Sequence, residues 1–162
     1  MKKILSLVLT LALVVSVLST VAFAAGSKST LIEVVSASKS DVIESINVKT
    51  TESEVEPATD AEVDAAVAAT IEAAEDAKEN VDVELLKTAS AANMTLIAMA
   101  DFTADEYPCV LNFYGEGTED IQVVVLVKYE NAEDWTVVYA GLAGEFSAEV
   151  EANGTYAIYM VG

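Results

Sequence analysis

Between residues 25 and 101 the chain has no Phe, Tyr or Trp, and apart from Phe23 every aromatic falls between Phe102 and Tyr159. A large aromatic ring buries about 150–250 Å² and dominates the energetics of a core. The main core is therefore expected to come from the C-terminal part, with the N-terminal part leaning on it. That part reads as strands. Val81–Lys87, Thr95–Phe102, Pro108–Tyr114, Ile121–Tyr129, Trp135–Ala140, Gly144–Ala152 and Thr155–Val161 are rich in β-branched and aromatic residues.

Periodicity refines several of these segments. Ile121–Val127 is almost continuously apolar, as suits a central strand covered on both faces. Trp135, Val137 and Tyr139 alternate with Thr136, Val138 and Ala140, and Phe146, Ala148 and Val150 alternate with Glu145, Ser147, Glu149 and Glu151. Each pattern predicts one buried and one solvated face. Asn131–Asp134 is expected to close one hairpin. Asn153-Gly154 is expected to close another through a type I′ turn, because both residues tolerate positive φ. Short strands with closely spaced turns indicate a β-sandwich, so the fold class is mainly β.

Upstream, Leu31–Val35 and Ile43–Thr50 read as short strands, and Thr51–Glu56 as an acidic loop. Thr59 and Glu62 stand at capping-box spacing. Behind them, one α-helix is expected over about residues 59–79. Its apolar stripe is Val63, Val67, Ile71 and Ala74, flanked by Ala66, Ala73 and Ala77. Burial stabilises by about 0.8 kcal/mol per CH₂, so an alanine-rich stripe holds loosely and suits close packing on a sheet. A membrane-surface helix would carry basic and bulky apolar residues instead.

Lys2 and Lys3, the apolar run Ile4–Val21 and the ending Ala22-Phe23-Ala24 have the form of a secretory signal peptide. Ser6, Thr10, Ser16, Ser19 and Thr20 dilute the run as a membrane anchor. Cys109 is far from the cleavage site, where a lipoprotein needs its cysteine. The expected organisation is residues 1–24 as signal peptide, 25–56 as a polar leader with short strands, and 57–162 as a helix plus β-sandwich in one domain. The expected location is extracellular. Cleavage would leave 138 of the 162 residues and, by removing two lysines and no acid, take the formal charge from −19 to −21. Nucleic acid and anionic membranes are bound through positive clusters and would repel this chain. A single cysteine cannot form an internal disulfide. In its apolar run Cys109 is expected to be a buried thiol.

Pro108, the Val123–Tyr129 run, Trp135-Thr136-Val137-Val138 and Asn153–Ile158 together resemble a C-terminal module of small secreted proteins of anaerobic Gram-positive bacteria. The resemblance covers about a third of the chain after the signal, and Lys128 stands where that module often has histidine. It implies an immunoglobulin-like β-sandwich without established catalysis.

Histidine and arginine are absent, which removes Ser-His-Asp and Cys-His chemistry, His-ligated zinc and bidentate anion clamps. Carboxylates alone can run a glycosidase, and Glu145, Glu149 and Glu151 share a strand face, but acids on the outer face of a strand are ordinarily solvated. Gly115-Glu116-Gly117 lacks the helix a phosphate loop requires. No catalytic residue, cofactor or metal ligand is assigned. The chain reads as a secreted, non-catalytic structural or interaction module with an extracellular protein or glycan as partner. Two alternatives accompany this reading. The first is carbohydrate or peptide binding by exposed members of the set Tyr107, Tyr114, Tyr129, Trp135, Tyr139, Tyr156 and Tyr159, with Trp135 at a hairpin end and Tyr129 across the turn best placed. The second is weak calcium binding by the acidic surface.

Overall fold

A computed structural model describes residues 32–40, 44–73 and 80–162, so the segment 1–24 lies outside the described residues. Among the described residues nine strands form, β1 (Glu33–Lys39), β2 (Ser45–Ile46), β3 (Val48–Thr51), β4 (Met94–Ala104), β5 (Cys109–Tyr114), β6 (Gln122–Tyr129), β7 (Thr136–Leu142), β8 (Glu145–Val150) and β9 (Gly154–Val161). Two α-helices of the described residues, α1 (Asp60–Ala73) and α2 (Val83–Thr88), and a 3-10 turn over Ala91–Asn93 lie between β3 and β4. The strands make two antiparallel sheets, in the orders β2-β1-β5-β8 and β3-β4-β9-β6-β7. The expected β-sandwich is present. No helix of the described residues is long and apolar enough to cross a membrane.

The five-stranded sheet is apolar on both faces, which makes the molecule three-layered. Val123, Val125 and Val127 of β6 face the other sheet, while Val124 and Leu126 face the helices, and all five are buried. This is what a continuous apolar run requires. Between the sheets, the Phe113 ring stacks on Phe146 at 4.9 Å and meets Tyr156 edge-on at 5.2 Å. Tyr139 stacks on Phe146 at 4.3 Å. Because Phe113 and Phe146 belong to one sheet and Tyr156 and Tyr139 to the other, these rings knit the layers together, each contact adding about 0.5–1.5 kcal/mol beyond its burial.

On the far face, Val63, Ala66 and Val67 of α1 pack with Leu85, Leu86, Trp135, Val137 and Tyr159. The capping box forms as expected. Thr59 N donates to Glu62 Oε2 at 2.8 Å, and Glu62 N donates to Thr59 Oγ1 at 3.3 Å. The helix is described as far as Ala73, and expected positions 74–79 lie outside the described residues.

Four expectations change on the structure. Val81–Lys87, expected as a strand, holds α2 instead. Asp82 Oδ1 accepts Leu85 N at 3.0 Å, and Lys87 Nζ reaches Glu84 Oε1 at 2.6 Å, so an N-cap and an i,i+3 pair override the alternation of Val81, Asp82 and Val83. The expected strand Ile43–Thr50 is shared between the sheets, with β2 pairing to β1 and β3 to β4. Asn47 makes the crossing, accepting Asp105 N at 3.2 Å and donating to Asp105 Oδ2 at 2.9 Å. The short strands expected within residues 25–56 pair into both sheets, and β1 sits inside the four-stranded sheet.

The third change is in β7. A bulge at Val138 shifts the register, with Leu126 opposite Val137 and Val125 opposite Tyr139. One inserted residue reverses the side-chain phase. Trp135 and Val137 consequently face the helices, while Tyr139 joins the inter-sheet core. The fourth is that Asn153-Gly154 closes no hairpin. The strands it joins, β8 and β9, lie in different sheets. Positive φ among glycines of the described residues falls at Gly117 and Gly144 instead.

Candidate functional site

The two aromatic residues singled out from sequence do not meet. Trp135 is only 4 % exposed and lies between the helices and the five-stranded sheet. Tyr129 is half-buried against the inter-sheet core, on the opposite face, where burial pushes its phenol pKa up and its hydroxyl accepts a long bond from Glu151 N at 3.4 Å. Their positions make the pair packing residues of two separate cores. Cys109 is fully buried, as expected, and burial followed by the neighbouring Glu149 charge raises its thiol pKa to about 11. A nucleophilic cysteine needs the reverse shift.

Three large apolar side chains of the described residues are exposed, Val55, Tyr114 and Leu142. Of these, Tyr114 stands on a built surface, the outer face of the four-stranded sheet. Strand β5 creates this face by strict alternation. Cys109, Leu111 and Phe113 point into the core, which sends Val110, Asn112 and Tyr114 outward. A register shift in β1 between Val34 and Ser36 keeps Glu33, Ser36 and Ser38 on the same outer side. In β8, Glu145, Ser147 and Glu149 complete it.

Cross-strand register orders these side chains into rows. The first row is Glu33, Tyr114 and Glu145. The second is Ser36, Asn112 and Ser147. The third is Ser38, Val110 and Glu149, extended by Ser45 on β2. Successive rows are two residues apart, roughly 7 Å, and adjacent strands stand about 4.8 Å apart. The middle row is hydrogen-bonded across three strands. Asn112 Nδ2 donates to Ser36 Oγ at 2.8 Å, and Ser147 Oγ donates to Asn112 Oδ1 at 2.7 Å. Both ends of the amide are held, so the row is rigid, yet the Ser36 hydroxyl hydrogen and the second Asn112 N–H stay available to a ligand.

The electrostatics of the face are one-signed. Burial raises the pKa of the Glu33 carboxyl, and none of the ion pairs of the described residues includes Glu33, Glu145 or Glu149. Lys39, at the end of β1, is engaged by Glu44 and Glu106 at 3.2 Å each. Lys49 and Lys128 belong to the other sheet, and Lys87 to α2.

Glu145 and Glu149 are four residues apart on one strand, roughly 13 Å, beyond the roughly 5–9.5 Å that glycosidase carboxyl pairs span. Glu151 falls past the end of β8. Glu33 and Glu145 flank Tyr114 in one row. Among the described residues, no group of three or more His, Cys, Asp or Glu side chains converges as metal ligands would. Sequence reasoning placed Tyr114 among the candidate aromatics without ranking it. The signal that ranks it is the alternation Val110, Asn112, Tyr114, which puts a ring on the same face as an amide. No protein-family model matches this chain, and no curated protein or solved structure matches it either.

Proposed function

We propose that the protein is a secreted, non-catalytic interaction module that engages an extracellular partner through the outer face of its four-stranded sheet. The observation that carries this reading is the exposure of Tyr114, at 45 %, beside the pre-organised Ser36–Asn112–Ser147 row. A solvated sheet face has no folding requirement for a large ring, whereas ring and fixed polar groups together are what a binding surface uses. The signal-like segment and the acidic, histidine-free composition support export and binding without chemistry. The resemblance to immunoglobulin-like modules of small secreted proteins agrees with this and is retained as part of the proposal.

The test is a binding screen of the purified protein against immobilised peptides and glycans, with product formation followed by mass spectrometry in the same wells. The expected outcome is at least one ligand retained by the wild type, lost on Tyr114→Ala and returned unaltered. Turnover abolished by replacing a pair of surface glutamates would overturn the reading, as would ligand retention indifferent to Tyr114→Ala.

A further inference from the structure

The chemistry of this face selects its partner, and this step rests on the interaction reading above. The first row places an exposed aromatic ring between two carboxylates, with Glu33 on one neighbouring strand and Glu145 on the other, both in direct register with Tyr114. A ring face attracts a cation through its quadrupole, and flanking carboxylates add charge-assisted hydrogen bonds. A third carboxylate, Glu149, lies two rows further along β8, roughly 13 Å away. No lysine of the described residues neutralises any of the three. Glu33 is half-buried as well, and burial raises its pKa.

The geometry points to a basic polypeptide partner, an extended segment that lies along the strands and sets a lysine or arginine on Tyr114 between Glu33 and Glu145. The rows favour a peptide over a sugar. Their spacing of roughly 7 Å equals the spacing of alternate side chains in an extended chain, so one ligand face meets three rows in step. A second cation four residues along the ligand reaches Glu149. Between them, the free N–H of Asn112 and the hydroxyl of Ser36 face the ligand backbone, which offers both acceptors and donors at that position.

The experiment is calorimetric titration of the purified protein with three probes. These are a synthetic extended peptide alternating lysine with threonine, its glutamate counterpart, and a neutral β-linked hexasaccharide. The lysine peptide is expected to bind and the other two to give no heat. Raising salt from 50 to 300 mM is expected to weaken binding. Tyr114→Ala should cost about threefold to fivefold, the scale of an exposed cation–π contact. Glu33→Gln with Glu145→Gln should cost about tenfold, the scale of two partly exposed ion pairs. The control carries the same charge change elsewhere, with Glu72→Gln on α1 and Glu133→Gln in the β6–β7 loop, both exposed, and is expected to bind like wild type.

Equal weakening by the control pair would show that bulk acidity attracts the peptide, and would overturn the site. Saccharide binding lost on Tyr114→Ala would overturn the basic partner while leaving the interaction reading standing. Lysine-peptide binding unaffected by Tyr114→Ala would remove both. Circular dichroism of every variant confirms that the sandwich is folded before titration.

Discussion

Gly154 separates two physical explanations of the same residue. As part of an Asn-Gly hairpin turn it would be needed for positive φ, and asparagine would then be the best replacement. The structure gives a different reason. A β-carbon at Gly154 would sit 2.4 Å from the Lys128 carbonyl oxygen, 3.0 Å from Tyr129 Cα and 3.1 Å from Lys128 C. All three atoms are backbone of β6, and β9 is paired on its other side to β4, with Gly154 opposite Phe102. Relief needs a movement of roughly 1 Å to restore ordinary van der Waals separation, in a strand hydrogen-bonded along both edges. Overpacking of this kind costs about 1–3 kcal/mol. Against it stands a gain of about 0.4–1 kcal/mol, because any side chain restricts the unfolded chain more than glycine does.

The clash wins, leaving a net loss of about 1.3 kcal/mol for Gly154→Ala. At about 4 °C per kcal/mol for a chain of this size, the melting temperature should fall by about 5 °C. Trp135 is the sole tryptophan and is buried, so its fluorescence reports unfolding directly. Gly154→Asn is the decisive companion. A clash with backbone penalises any β-carbon, so asparagine should cost at least as much as alanine. Were Gly154→Asn to melt within about 2 °C of wild type, a shift of about 0.5 kcal/mol, while Gly154→Ala fell, the residue would be serving a left-handed turn and the steric account would be refuted.

Two further outcomes follow from titratable groups. The Cys109 thiol, pushed up to about 11 by burial, should resist a thiol-specific reagent at pH 8 in the folded protein and react fully in urea. Because its folded pKa lies above the unfolded value, the neutral thiol's contribution is complete below the unfolded pKa. It is lost as pH rises through the folded one, so urea midpoints should decline between about pH 9 and 11. Glu62 is shifted the other way, its carboxylate held below the usual range first by the Thr59 backbone N–H and then by the Thr59 hydroxyl. Its contribution is present above the unfolded carboxylate pKa and disappears as pH falls through the folded one. Helical ellipticity of the wild type should therefore drop on acidification below about pH 4, and Thr59→Ala should flatten that limb.

What could be read from the sequence was what depends on neighbours a few residues away. The Thr59–Glu62 cap, the Ala-rich face of α1, the alternation of β8 and the doubly buried run of β6 are local patterns, and each appears where its period places it. Misreadings arose where one residue changed the phase or the chain changed sheets. Val138 inserts into β7 and turns Tyr139 away from the face of Trp135 and Val137. Asn47 carries the chain between sheets inside what reads as one strand. Asn153-Gly154 has the composition of a hairpin, but a turn signal says nothing about which sheet receives the next strand. The candidate face was invisible for the same reason. Glu33, Tyr114 and Glu145 are far apart in sequence, and only the register of β1, β5 and β8 sets them in one row.

The two sheets differ in what their outer faces can be used for. The five-stranded sheet spends its outer face on α1 and α2, whose apolar side chains cover Val124, Leu126, Ala157 and Tyr159. Any ligand reaching that face would have to displace a packed layer, and each large apolar residue exposed in doing so would cost about 1.5–3 kcal/mol. The four-stranded sheet faces the opposite constraint. Its inner side already buries Leu111, Phe113, Phe146 and Ala148, so folding places no apolar requirement on the outer side and that side can be polar throughout. A ring as large as Tyr114 in that setting, with 45 % of it exposed and the charge around it all of one sign, would gain further burial if a partner covered it. The same β5 alternation that commits Phe113 to the core therefore commits Tyr114 to the surface. Shifting β5 by one residue against β1 and β8 would bury Asn112 and Tyr114 and abolish the face together with the fold.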